Sequence, residues 1–542
     1  MHTDRVIVSS RVFTGTSDKA EALAIGVEDD RIAAVAPAAE ADSLMTPGTE
    51  LVDAGDAFVC AGFGDAHQHV LHAALFSSDA ALRYVGTSER DCAEALAAFA
   101  ASHPGDGWVL AQGWRDYLWD PPVAPTRASL DALIPNRPAA LYSGDCHTLW
   151  LNTRGLEALG IDDGTPVPSG GVFVRDEGGR LTGILDEAAG MVYFSRILGM
   201  LPQRQLEDAY RDYLQRLAAM GITSVSDMAI SPVMGADCIN APVYEALLAR
   251  DELPIRAHLF PTLTDDLSNL EDLQERLGTN PMLRAPGFKQ FFDGVSSSHT
   301  AWCSELYANA RDAADVGRPT IPAERMRELV LAAASRGHPV RIHTIGDRAV
   351  TEATHIFAEA RCRYGDPTQG RNTLEHVEDI RPQDIDALRD ANAVASVQPP
   401  HVVIDLAQPG RDLGPERAAR MWPFDQFLAA GVDLAFGTDA PVVEPTSTDV
   451  LYTAVTRRTP DTHEPKAGWH PEHDITRAQA IRAYTLGSAA AVGRDHELGT
   501  IEPGKLADLC IWEKDLLTCT DNELQQARCL TTIVGGRVVH EA

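Results

Sequence analysis

Eight short apolar runs constrain this chain more than any other feature. They are V-C-A-G-F-G-D-A-H at 59–67, I-T-S-V-S-D-M at 222–228, P-I-R-A-H-L-F at 254–260 and G-F-K-Q-F-F-D-G at 287–294. Then follow P-V-R-I-H-T-I-G-D at 339–347, N-T-L-E-H-V-E at 372–378, A-V-A-S-V-Q-P-P at 393–400 and D-L-A-F-G-T-D-A-P at 433–441. Amphipathic stretches lie between the later ones, such as M-R-E-L-V-L-A-A-A-S-R at 326–336. Strand-like runs that alternate with helices imply parallel pairing, and eight of them close a (β/α)8 TIM barrel. The expected fold class is therefore α/β.

The ends of the chain have a different texture. Residues 6–61 read as short strands broken by Asp-Asp, Pro and Gly, and D-L-C-I-W at 508–512 and L-T-T-I-V-G-G-R-V-V-H at 530–540 match them. These segments predict one small β-sandwich domain built from both ends, over 1–60 and 488–542. The barrel is expected over 61–70 and 220–487. The gap after the first barrel strand is too long for one helix, so 71–219 is expected to be an inserted substrate-lid subdomain. It holds a hairpin-like segment, S-G-G-V-F-V-R-D-E-G-G-R-L-T-G at 169–183, and a returning helix at 202–219.

A formal net charge of −32 argues against a nucleic-acid backbone or an anionic membrane surface as partner. No run approaches the ~18 apolar residues of a membrane span. The N-terminus, M-H-T-D-R-V-I-V-S-S, lacks the apolar core of a signal peptide. Nine scattered cysteines, with no C-x-x-C, fit neither a disulfide framework nor a zinc ribbon. A cytoplasmic protein acting on a small molecule, with a homodimer as its candidate assembly, is expected.

Ionisable residues collect at the strand ends. His67 and His69 form an H-x-H whose side chains, in an extended strand, project to one face. Lys289 lies in the fourth run with Asp293 following, His343 is in the fifth, His376 in the sixth and Asp439 in the eighth. Singly, each has a structural explanation; Lys289, for example, could be a core lysine paired to Asp293. In a barrel all these ends share one rim. Four imidazoles, an amine and a carboxylate there make a metal site, with zinc the ion on ligand type.

These motifs resemble the amidohydrolase superfamily, and more narrowly its YtcJ-type branch, amidohydrolase family 3. G-D-A-H-Q-H at 64–69 and G-T-I-E-P-G-K-L-A-D-L at 499–509 resemble the superfamily's first-strand and C-terminal signatures. D-C-H-T-L-W-L-N at 145–152, F-K-Q-F-F-D-G at 288–294, H-T-I-G-D at 343–347, S-V-Q-P at 396–399 and G-T-D-A-P-V at 437–442 resemble the branch. The resemblance implies a zinc-dependent hydrolase of carbon–nitrogen bonds other than peptide bonds. It assigns His67 and His69 to one metal with Asp439, and His343 and His376 to a second. It makes Lys289 a carboxylated lysine bridging two zinc ions. That modification requires a neutral amine, which burial favours. An unmodified Lys289 leaves one ion on His67, His69, His343, His376 and Asp439.

On this reading a metal-bound hydroxide attacks an amide-type carbonyl, of an N-substituted formamide or N-acyl amine, and Asp439 carries the proton. His299 is a second candidate catalytic group, orienting the carbonyl. Trp302, Gln398 and His401 follow the fourth and seventh strands and are expected to face the substrate. Trp114, Arg115, Tyr117 and His147, with Asp145 nearby, are expected to recognise its side group from the insertion. The rival readings are a deaminase of the same superfamily and a non-catalytic metal-binding scaffold. The deaminases typically carry a Glu shortly after the fifth-strand His, and here His343 is followed by Thr344, Ile345, Gly346 and Asp347.

Overall fold

A computed structural model describes residues 3–144, 146, 148–168, 171–231 and 237–542, without the side chain of Tyr117. Asp145 and His147 therefore lie outside the described residues. The run at 59–67, expected to be one strand, is two. It breaks at Gly62, where a Cβ would stand 2.2 Å from the Thr223 side chain. The first half, Phe58–Ala61, pairs with Arg5–Phe13 and Leu509–Trp512. The second half, Phe63–Gln68 (β1), pairs in parallel with Ile222–Met228 (β2). One continuous apolar run thus feeds two sheets.

From β2 the parallel pairings continue to Arg256–Phe260 (β3). A bridge between Thr262 and Lys289 leads to Phe288–Phe291 (β4). Val340–Thr344 (β5), Thr373–His376 (β6), Val394–Val397 (β7) and Leu434–Phe436 (β8) follow in order. A parallel bridge between Gln68 and Ala440 returns β8 to β1. The eight runs predicted from the sequence thus pair in a closed cycle. Because every strand runs the same way, the residues that end them gather at one rim. Helices such as Ala323–Ser335, Asp347–Tyr364 and Pro382–Asp390 connect successive strands.

The end segments form one mixed sheet of eight strands. Its last hairpin, Cys529–Val534 with Arg537–Glu541, turns at Gly535 and Gly536, both at positive φ as such a turn requires. A buried bidentate pair joins this sheet to β3: Arg256 Nε and Nη2 donate to Asp508 at 2.7 and 2.8 Å.

The chain divides into two compact units. The first, 1–68, 214–228 and 248–542, contains the end-strand sheet and the strand cycle. The second, 69–213 and 229–247, contains a six-stranded sheet that includes the expected hairpin, Gly171–Arg175 with Leu181–Glu187. Its core packs Trp114 and Trp150 with Leu96, Leu130 and Leu141. Among the described residues no helix is long and apolar enough to cross a membrane.

Removing one partner of a buried ion pair strands the other. Arg256→Met leaves Asp508 with the Gly535 N–H as its remaining donor. It should lower stability by about 3–5 kcal/mol, read as a lower urea midpoint at unchanged slope.

Candidate metal centre

His67, His376 and Asp439 each present a ligand atom within 4.8 Å of the other two, and all three are buried. They come from β1, the end of β6 and the loop after β8. His67 Nε2 lies 3.4 Å from Asp439 Oδ1. The His376 ring sits 4.9 Å from that of His67 and 4.4 Å from that of His343, centroid to centroid. His343 Nε2 lies 3.3 Å from the Gly294 carbonyl oxygen. His376, Val377 and Asp439 adopt positive φ, 72°, 45° and 58°. Such backbone costs about 1–3 kcal/mol per residue and persists where the surroundings over-determine it.

Two hydrogen bonds set the tautomers of the imidazoles. Glu375 Oε2 lies 2.7 Å from His67 Nδ1, and Gln398 Oε1 lies 2.8 Å from His376 Nδ1. Each Nδ1–H donates, so each Nε2 keeps a lone pair for a cation. Burial alone would raise the Glu375 carboxyl, but Arg341, His67 and Lys289 outweigh it and hold it well below the usual carboxylate range. Burial, with Lys289 beside them, pushes His67 down to about 4 and His343 to about 3. Burial also takes His376 well below its ordinary value, with His343 beside it. Neutral, oriented imidazoles around a carboxylate are the donor set a divalent transition metal requires.

Lys289 is fully buried, and among the described residues its Nζ has no hydrogen-bond partner. The amine lies 4.8 Å from the centroid of the Phe291 ring, and burial lowers it to about 8. It is not paired with Asp293. That carboxylate accepts instead from the backbone N–H groups of Trp302, Ile345 and Gly346, at 2.9, 3.0 and 2.8 Å. Asp293 thereby ties the loops after β4 and β5 together, and burial raises it to about 8.

The remaining expected residues divide. His401 reaches the centre: its Nε2 lies 3.9 Å from Asp439 Oδ2, its Nδ1 4.0 Å from Glu378, and its ring parallels that of His376 at 6.2 Å. Gln398, expected to face substrate, accepts from the His376 ring through its Oε1. His299 bonds to Asp315 at 2.7 Å and stacks on Tyr307 at 4.1 Å. The Trp302 ring meets Phe292 edge-on and lies under the Arg348 guanidinium. β1 ends at Gln68, and His69 stands at the N-cap position of the helix Val70–Phe76, where its side chain makes no capping hydrogen bond. In the second unit, Trp114 belongs to the core; its indole N–H donates to the Leu141 carbonyl at 3.2 Å, so it is not a surface recognition residue. Arg115 packs over Gly144. The Tyr117 side chain and His147 lie outside the described residues.

Glu375 and the ring-holding role of Gln398 escaped the sequence reading. A signal was present: Glu375 and Arg341 are opposite charges in neighbouring apolar runs, and buried charges require partners.

A model of the amidohydrolase family matches residues 50–540. The chain belongs to that family, in its YtcJ-type branch. It is 25% identical over 509 residues to the putative amidohydrolase YtcJ of Bacillus subtilis, covering 92% of this chain and 91% of that protein. It is 27% identical over 567 residues to the N-substituted formamide deformylase of Arthrobacter pascens, covering 99% and 98%. Among solved structures, an uncharacterized metal-dependent hydrolase from Pyrococcus horikoshii OT3 has a TM-score of 0.78 at 21% identity, covering 95% of this chain and 99% of that one. That last likeness is one of fold.

Gln398→Leu removes the acceptor for His376 Nδ1 while leaving the ligands themselves. Metal affinity should fall about 10–100-fold, measured by competition with a chromogenic chelator. An unchanged affinity would remove Gln398 from this role.

Proposed function

We propose that this protein is a metal-dependent hydrolase that cleaves an amide-type carbon–nitrogen bond in a small molecule, with N-substituted formamides and N-acyl amines as the substrate class. The observation that carries the reading is the convergence of His67, His376 and Asp439 from three strand ends. The deformylase activity named for the Arthrobacter relative supports the substrate class. The closed cycle of parallel strands supports a (β/α)8 barrel, and the end-strand sheet supports a companion β domain beside it.

His67, His376 and Asp439 would hold the cation, with His343 adjacent. Imidazole and carboxylate donors favour zinc. A single ion is the arrangement proposed: the trio takes one imidazole from each of the two pairs that a two-ion arrangement would separate. Lys289, depressed to about 8, has a substantial neutral fraction near physiological pH. Its carboxylation is the route by which a second ion would be held, so metal stoichiometry decides between the two arrangements.

Such an ion supplies an acidified water and an electrophile for a carbonyl oxygen. The chain supplies the rest. Asp439 accepts the proton of the attacking water and delivers it to the departing amine nitrogen, as base and then acid. His401, between Glu378 and Asp439, places its Nε2 3.9 Å from the Oδ2 side of that carboxylate. Glu375 and Gln398 keep the two imidazoles in register, and burial of the centre excludes bulk water.

The zinc-loaded protein should hydrolyse members of a panel of N-formyl and N-acyl amines and carry one equivalent of zinc per chain by elemental analysis. Asp439→Asn should lower kcat about 10²–10⁴-fold with an unchanged circular dichroism spectrum. Wild-type turnover in that variant would overturn the role of Asp439. Inertness toward the whole panel would overturn the substrate class.

A further inference from the structure

A cavity of about 460 Å³ lies in the first unit and is lined by His258, Gln274, Arg284, Thr368, Gln369 and Arg494 among others. None of these residues belongs to the metal centre. Chain order places the cavity toward the beginnings of the strands. Thr368 and Gln369 precede β6, whereas His376 ends it. Ala285 and Pro286, which also line the cavity, precede β4, which carries Lys289. His258 lies four residues before Thr262, the partner of Lys289, or about 13 Å along extended chain.

The cavity is cationic in a strongly anionic protein. Arg494 and His258 are buried, at 2% and 1% exposure. Arg494 Nε donates to Glu497 at 2.6 Å, and its Nη1 donates to His258 Nε2 at 3.1 Å and to the Pro281 carbonyl at 3.0 Å. Among the described residues its Nη2 has no acceptor. Glu497 is shared: Arg284 lies 3.3 Å and Arg31 3.9 Å from it. Of the other nearby carboxylates, Asp508 is taken by Arg256, and Asp30 lies 3.8 Å from Arg31. The guanidinium groups therefore outnumber the carboxylates that face them. Burial, with Arg284 and Arg256 close by, depresses Arg494 to about 10. His258 cannot relieve the imbalance, because it accepts from Arg494 and is held neutral by burial and the surrounding arginines.

A buried guanidinium with unused donors, beside a second arginine, is the recognition chemistry of carboxylate and phosphate groups. The volume lies in the range of small-molecule sites, about 300–1,000 Å³. Gln274, Gln369 and Thr368 add neutral hydrogen-bonding groups for the rest of a ligand. We propose that this cavity binds a small organic anion, through a carboxylate or phosphate group received by Arg494 and Arg284, at a site separate from the metal centre.

The test uses the zinc-loaded full chain and two probes, inorganic phosphate and succinate, titrated separately by calorimetry at low ionic strength. At least one should bind saturably. Arg284→Gln, on the more exposed side of the cavity, should weaken that binding about tenfold or more with zinc content unchanged. Arg494→Gln should do the same if it folds, but Arg284→Gln suffices where it does not. Binding of phosphate alone assigns a phosphate-bearing ligand, and binding of succinate alone a carboxylate. Failure of both anions to bind, or equal binding by wild type and Arg284→Gln, would overturn the proposal. Neither outcome depends on the hydrolytic activity.

Discussion

The charge on Glu375 is what the candidate metal centre rests on. Glu375 and Arg341 are both fully buried, and Arg341 Nε donates to Glu375 Oε1 at 2.5 Å. A buried carboxylate would take up a proton without such a partner. Ionised, it orients His67. Arg341 does more than neutralise it: Nη2 donates to the Ala66 carbonyl at 2.8 Å and lies 3.3 Å from the Ser396 hydroxyl, and Nη1 lies 3.4 Å from Ser226. One guanidinium from β5 thus reaches β1, β2, β6 and β7. The planar fork of five donors makes this possible, and lysine would not replace it.

The rim above this hub is held by carboxylates that accept from backbone. Asp65 accepts from the Gln68 amide, the Thr438 hydroxyl and the backbone N–H groups of His67 and Thr438. Asp439 N–H donates to the His67 carbonyl at 2.7 Å. These bonds join the ends of β1 and β8, where the cycle closes, and set Asp439 against His67. Asp293 does the same for the loops after β4 and β5. The left-handed backbone at His376 and Asp439 is sustained by this cross-bracing. The arginine-lined cavity toward the beginnings of the strands shows the opposite balance, with guanidinium groups in excess and a donor left over.

Much of this was legible in the residues. The eight apolar runs marked the strands, because strands buried on both faces have little choice but to be apolar. The texture of both termini marked their shared sheet. The break at Gly62 was not legible. An apolar run looks the same whether it serves one sheet or two, and the switch depends on Thr223, which is distant in sequence. Lys289 and Asp293 looked like a local pair, yet in the fold the carboxylate turns to backbone N–H groups of two other loops. Trp114, beside Arg115 and Tyr117, looked like a recognition cluster. Its indole is core, since a large aromatic next to charged residues reads alike in either place.

By itself the sequence determined the donor types and the eight runs of the parallel cycle, and with them the end at which those runs would gather their polar residues. These follow from side-chain chemistry and from strand direction, both of which are local. Tertiary structure alone decided which imidazoles converge most closely, that Glu375 and Gln398 hold them, and that His69 falls beyond its strand. Those outcomes depend on distances between residues hundreds of positions apart. A hydrogen bond is made or lost over a fraction of an ångström, a scale no spacing in a linear chain can encode.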